Sequence, residues 1–118
     1  MIITELKENE IFVFGSNEKG YHDGGAAALA DNKFGAIYGR SHGFQGQSYA
    51  IPTLDVFMDK ISLEDIEKEL KQLIWIAERM PSVTFFLTPI GTGIAGYTVD
   101  DLEGILPKLP ENIIPTWK

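Results

Sequence analysis

The sequence predicts an α/β fold with a largely parallel sheet and helices on both faces. Three observations carry that expectation. Short unbroken apolar runs, Ile11-Phe12-Val13-Phe14 and Val83-Thr84-Phe85-Phe86-Leu87, suit strands buried on both faces, as in parallel sheets. Each run is followed by a glycine-rich loop and then by a helix start. Between them lies a segment with apolar residues at helical spacing: Leu63, Ile66, Leu70, Leu73, Ile74 and Ala77. Alternating strands and helices define the class.

Taken in order, the first strand ends at Gly15, and Gly15-Ser16-Asn17 through Gly24-Gly25 reads as a loop. Ala26-Ala27-Ala28-Leu29-Ala30 has strong helix propensity, and that helix stops near Phe34-Gly35. Gly39, Gly43 and Gly46 break the region from Ala36 to Gln47 into turns, with a short strand at Ala36-Ile37-Tyr38. Ser48-Tyr49-Ala50-Ile51-Pro52 reads as a strand ended by its proline. Ser62 opens the clearest helix, with Asp65 in an approximate capping box, and Pro81 closes it. After the second glycine loop, Thr98 caps a last helix with Asp101 at its third position; Pro107 kinks or ends it. Asn112-Ile113-Ile114-Pro115 reads as a final edge strand.

The 118 residues, 44% apolar and 23% charged, suit one globular domain spanning 1–118, with no linker or repeat. No apolar run has the length of a membrane span, and the opening Met1-Ile2-Ile3-Thr4-Glu5 lacks the sections of a signal peptide, so no membrane partner is expected. The lack of cysteine fits a cytoplasmic protein and excludes disulfides and thiolate metal sites. Two histidines without cysteines make a metal site a poor expectation. Ten Lys and Arg against seventeen Asp and Glu, net −7, leave no basic footprint for nucleic acid. An acidic chain that holds a phosphate must use local backbone dipoles, because its long-range field repels anions.

That places weight on the stretch Thr88-Pro89-Ile90-Gly91-Thr92-Gly93-Ile94-Ala95-Gly96-Tyr97. Glycines between a buried strand and a helix let backbone N–H groups turn toward an anion; a tight structural turn is the plain alternative. Its Gly91-x-Gly93-x-x-Gly96 spacing matches the dinucleotide-binding fingerprint. The fingerprint also wants a further strand and an acid about 20 residues on; that count falls near Thr116, so the spacing lacks its confirming half. In a parallel sheet both glycine loops belong on the rim beyond the strands' carboxyl ends. Strands about 5 Å apart would let the two loops share one pyrophosphate, provided their strands are adjacent or separated by one.

These residues resemble macro domains, the α/β modules that bind ADP-ribose. Gly15-Ser16-Asn17 with Gly24-Gly25-Ala26-Ala27 is similar to one loop of that family, and Pro89 to Tyr97 is similar to its other phosphate loop. Phe34-Gly35-Ala36, Gly46-Gln47-Ser48-Tyr49-Ala50-Ile51-Pro52-Thr53 and Pro115-x-Trp117 extend the likeness to a compact bacterial and phage macro-like group. The resemblance implies a three-layer α/β/α macro-like domain with a mixed, largely parallel sheet. It implies that Ser16 and Asn17 lie at the ligand, with Asn17 on the distal ribose hydroxyls. Amides around Gly24, Gly25 and Ala26 would take one phosphate. Those of Gly91, Thr92, Gly93, Ile94, Ala95 and Gly96 would wrap the other, and Tyr97 would pack on the ribose. The family's N-terminal Gly-Asp-Ile segment, whose acid recognises adenine, has no counterpart, and Glu5, Glu8 and Glu10 are the acids nearby. The usual central His-bearing strand is replaced by Ser48-Tyr49-Ala50-Ile51-Pro52-Thr53.

Other readings stand beside these. Asn17 equally suits an Asx-turn or a helix-entry cap. His22 and Asp23 could orient a water as acid and base or form a solvated loop pair. His42 reads as polar surface, and Gln45 and Gln47 as base readers or loop fasteners. Trp75 and Ile76 widen the helix's apolar surface, through broad burial or a homo-oligomeric contact. The expected partner is ADP-ribose or a related nucleotide diphosphate, with no cofactor. Two functions compete on it: an ADP-ribosyl hydrolase using Asn17 with Asp23 or His22, and a non-catalytic nucleotide-sensing or protein-interaction module.

Overall fold

The computed structural model describes all 118 residues. Its elements run β1 (Glu10–Asn17), α1 (Gly25–Lys33), β2 (Gly43–Gln45), β3 (Ser48–Leu54), α2 (Leu63–Glu78), β4 (Thr84–Leu87), α3 (Val99–Ile105) and β5 (Ile113–Pro115). The five strands form one mixed sheet in the order β2-β3-β1-β4-β5. β1 runs parallel to both neighbours, β4 parallel to β5, and only β2 is antiparallel.

Alternation along β1 sorts the core. Phe12 and Phe14 join Ala27, Ala30 and Phe34 of the α1 side, whereas Val13 joins Ile66, Leu70 and Leu73 of α2 and Leu102 of α3. The side chains of α1 that face the sheet are mostly alanines, so this helix can lie close on β1. The α2 stripe is built on Ile66, Leu70, Leu73 and Ala77, all buried. Ser62 Oγ accepts the Asp65 N–H at 3.2 Å, and Thr98 and Asp101 close a reciprocal capping box on α3.

Three expectations are corrected. Gly15-Ser16-Asn17 is strand rather than loop, because β1 continues with pairing to β3 as far as Asn17. Ala36-Ile37-Tyr38 is not a strand: the Ile37 N–H is taken by the Gln45 side chain at 2.8 Å, and the strand lies at Gly43–Gln45. Pro52 does not end β3, which runs to Leu54. β2 pairs only as far as Ala50, and the β1–β3 register slips after Ser16↔Pro52, so a missing N–H is tolerated there. The β2–β3 hairpin also passes so close to the end of α1 that a Cβ on Gly46 would lie 2.8 Å from the Gly35 Cα, and both residues have positive φ.

Trp75 is exposed and lies under Arg79, whose guanidinium carbon is 3.7 Å from the ring centroid, so broad burial does not describe it. No helix is long and apolar enough to cross a membrane. The turn from α2 into β4 hangs on Asn112, whose Nδ2 shares its two hydrogens among the carbonyls of Ala77, Met80 and Val83 at 2.9, 3.0 and 2.9 Å. Losing one polar partner of such groups costs about 1–3 kcal/mol. Asn112→Ala should therefore lower the urea-unfolding free energy by about that amount, and an unchanged midpoint would contradict this role.

Candidate functional site: two loops around one cleft

Because β1 lies between β3 and β4, the connections β1–α1, β3–α2 and β4–α3 all leave the same edge of the sheet. They surround a cleft of about 540 Å³, lined by Gly15–Asn17, Tyr21, Asp23–Ala27, Thr53, Leu54, Met58 and Thr88–Ala95. The strands that carry the two glycine loops are immediate neighbours, the condition for the loops to share one ligand.

The first loop is shaped by Asn17. Its Oδ1 accepts the Tyr21 N–H at 3.0 Å and its Nδ2 donates to the Tyr21 carbonyl at 2.9 Å. One Nδ2 hydrogen is left for anything else. Ser16 Oγ donates to the Ser41 carbonyl at 2.5 Å. The loop then delivers the start of α1, which is built unlike the other two helices. Its N-cap is Gly24, no side chain accepts a bond there, and no acid lies in the first turn. α2 and α3 each have a side-chain cap and two acids in the first turn. The N–H groups of Gly24, Gly25, Ala26 and Ala27 thus have no acceptor on the protein. A helix start left in this state concentrates donors and the positive end of the helix dipole.

The second loop folds on itself through Ile90 N–H to Thr88 O, Thr92 N–H to Pro89 O, Gly96 N–H to Gly93 O and Tyr97 N–H to Gly91 O, at 2.7 to 3.3 Å. Thr88 Oγ1 donates to the Val13 carbonyl at 2.7 Å and fixes the loop to β1. These bonds use the amides of Thr92 and Gly96, while those of Gly91, Gly93, Ile94 and Ala95 have no acceptor on the protein. The cleft lining contains no Lys or Arg, so its donors are backbone dipoles in an acidic chain.

Of the residues singled out from sequence, Ser16, Asn17, Asp23, Gly24, Gly25, Ala26 and Gly91 through Ala95 line the cleft; His22, Gly96 and Tyr97 do not. His22 is buried edge-on to Phe14, with Nδ1 3.8 Å from the Asp31 carboxylate and no hydrogen-bond partner on either ring nitrogen. It lies under the loop rather than in the cleft. The Tyr97 hydroxyl donates to the Ile61 carbonyl at 2.7 Å, and the Lys60 ammonium lies 4.9 Å from its ring centroid. Tyr97 therefore straps the β3–α2 connection to the second glycine loop. Asp23 is exposed and accepts the Tyr38 hydroxyl at 3.2 Å. The Tyr38 phenol is raised above its ordinary pKa by desolvation and by that carboxylate. As Tyr38 is half exposed, the carboxylate is the cause the geometry favours. Gln45 and Gln47 bond to the backbone of Ile37, Arg40, Lys7 and Glu10, as loop fasteners do.

Sequence reasoning missed Tyr21, Thr53, Leu54 and Met58. The rule that ligands sit beyond strand carboxyl ends would have found the last three had β3 been carried past Pro52. A second cavity of about 500 Å³ is ringed by Glu18, His42, Asp65, Lys68 and Glu69. Its charges are largely paired already, His42 with Glu69 at 2.6 Å and Lys68 with Asp65 at 3.6 Å, and it offers no comparable anion site. No group of three His, Asp or Glu side chains is placed to hold a metal ion. In comparison with known proteins, no family model, no curated protein and no solved structure matches this chain.

Gly24 has extended backbone at φ −153°, and a Cβ there would meet nothing within 4 Å. Gly24→Asp should supply the missing cap and raise the unfolding free energy by about 0.3–1 kcal/mol in urea titration. A loss of stability would show that the α1 start is not short of an acceptor.

Proposed function

We propose that this chain is a three-layer macro-like domain that binds ADP-ribose or a related nucleotide diphosphate. One observation carries the reading. Two sets of backbone amides without protein acceptors, Gly24–Ala27 and Gly91 with Gly93–Ala95, line a single cleft from adjacent strands. A diphosphate offers two acceptor groups at the separation of neighbouring loops, and backbone donors suit it where no cationic side chain is present. The likeness of both loops to macro-domain phosphate loops supports the same ligand. Asn17 keeps one amide hydrogen for a ribose hydroxyl while holding the loop in shape.

Asp23 separates a hydrolase from a sensor. It is the only carboxylate lining the cleft. In a hydrolase it would orient a water toward the anomeric carbon of the distal ribose and accept its proton. The linkage to the modified protein, nucleic acid or metabolite would then break, with the bound diphosphate holding the geometry. In a sensor the same carboxylate only anchors Tyr38.

Calorimetry with ADP-ribose tests the binding claim. The wild type should bind, and Gly24→Asp, whose own carboxylate would occupy the α1 amides, should bind about 100-fold or more weakly while remaining folded. Equal affinities would overturn the two-loop grip. Incubation with ADP-ribosylated substrates tests the chemistry. Hydrolysis is expected to fall about 10²- to 10⁴-fold in Asp23→Asn with binding retained; no release by the wild type from any substrate would leave the sensor.

A further inference from the structure

The connection from β3 to α2 contains a turn, Asp55 to Asp59, that is fixed more firmly than a linker requires. The Asp55 carboxylate accepts the N–H groups of Phe57 and Asp59 at 2.8 and 3.0 Å. The Asp55 carbonyl accepts the Met58 N–H at 3.0 Å, and the Asp55 N–H donates to the Asp59 carbonyl at 2.8 Å. A bridge between Leu54 and Lys60 closes the neck. Met58 is the one non-glycine residue with positive φ, at 63°. Left-handed backbone is unfavourable for a side chain of this kind and persists only where its surroundings over-determine it.

This turn presents three successive apolar side chains to solvent, with Val56, Phe57 and Met58 at 44%, 81% and 38% exposure. Met58 lines the same cleft as the unpaired amides. The Tyr97 hydroxyl on Ile61 ties the turn's exit to the second glycine loop, so the two walls are held together. At about 540 Å³ the cleft has the size of a site for a whole small molecule, well beyond a diphosphate alone. In a nucleotide diphosphate the remaining large apolar surface is the face of the base. A sugar would bring hydroxyls that need partners, yet the amides of Phe57, Met58 and Asp59 are all used inside the turn.

Building on the diphosphate reading, we propose that the Asp55–Asp59 turn is the nucleobase platform of the cleft. The Met58 thioether, already in the cleft lining, packs on the flat face of the base, and the exposed Phe57 ring, outside that lining, turns onto it when the cleft is filled. Polarizable sulfur and an aromatic ring both favour such contacts. The platform's backbone donors are spent, so it reads the area of the base rather than its edge. It therefore distinguishes nucleotides from base-free diphosphates far better than adenine from guanine.

The test measures affinities for ADP, GDP and inorganic pyrophosphate in the wild type, Met58→Gly and Phe57→Ser. Glycine suits the positive φ at position 58, and Phe57 is mostly exposed, so both variants should fold. ADP and GDP should bind the wild type within about threefold of each other, and both more tightly than pyrophosphate. Each substitution should weaken ADP and GDP about five- to tenfold and leave pyrophosphate unchanged. The proposal is overturned, with the diphosphate reading intact, if ADP binds no tighter than pyrophosphate. It is also overturned if the variants keep full nucleotide affinity, as a turn that docks a protein would, or weaken pyrophosphate equally. Failure of the wild type to bind these three and ADP-ribose would overturn both readings.

Discussion

The parallel pairing of β1 with two neighbours is the constraint on which the rest depends. Val13 is opposite Tyr49 on one side and Leu87 on the other. Parallel neighbours bring every strand-to-helix connection to one edge, so the approach of the two glycine loops follows from topology alone. Local chemistry then narrows the gap. Thr88 hangs the second loop from the Val13 carbonyl, which brings Gly91 into contact range of Gly15 on β1. On the other side the alanines of α1 let the helix lie close to Phe12 and Phe14, which fixes where its uncapped start emerges.

Much of this was legible in the sequence, for reasons that can be named. The buried runs at Ile11–Phe14 and Val83–Leu87, the Ser62 and Thr98 caps and the α2 stripe are local signals, and each appears in the fold within one to three residues at its boundaries. What stayed hidden depended on distant partners. β2 is three residues long and exists because Phe44 and Gln45 meet β3, which no periodicity announces. Pro52 reads as a stop unless one knows that β2 has already ended beside it. His22 adjoins the glycines in sequence, but the chain turns its ring under the loop, against Phe14. The pair of residues that looked like one acid-base unit is thereby divided between interior and cleft.

Amide side chains do much of the fastening where the chain is irregular. Asn17 closes the first loop on Tyr21, Gln45 joins Ile37 to Arg40, and Asn112 gathers three carbonyls at the end of α2. Each substitutes for backbone pairing that loops cannot supply. That is why such residues, met in a sequence, look alike whether they serve a ligand or a turn. Asn17 does the second while leaving a hydrogen for the first.

The geometry at Gly24 bears on which residues that position can hold. Neighbouring Gly25 has a left-handed backbone and is held to glycine by sterics, but Gly24 is not: its backbone is extended and its surroundings are open. Folding alone would favour Asp, Ser or Thr at that position, the residues that ordinarily begin a helix. The residue at this one unconstrained position therefore decides whether the α1 amides face the cleft free or already capped.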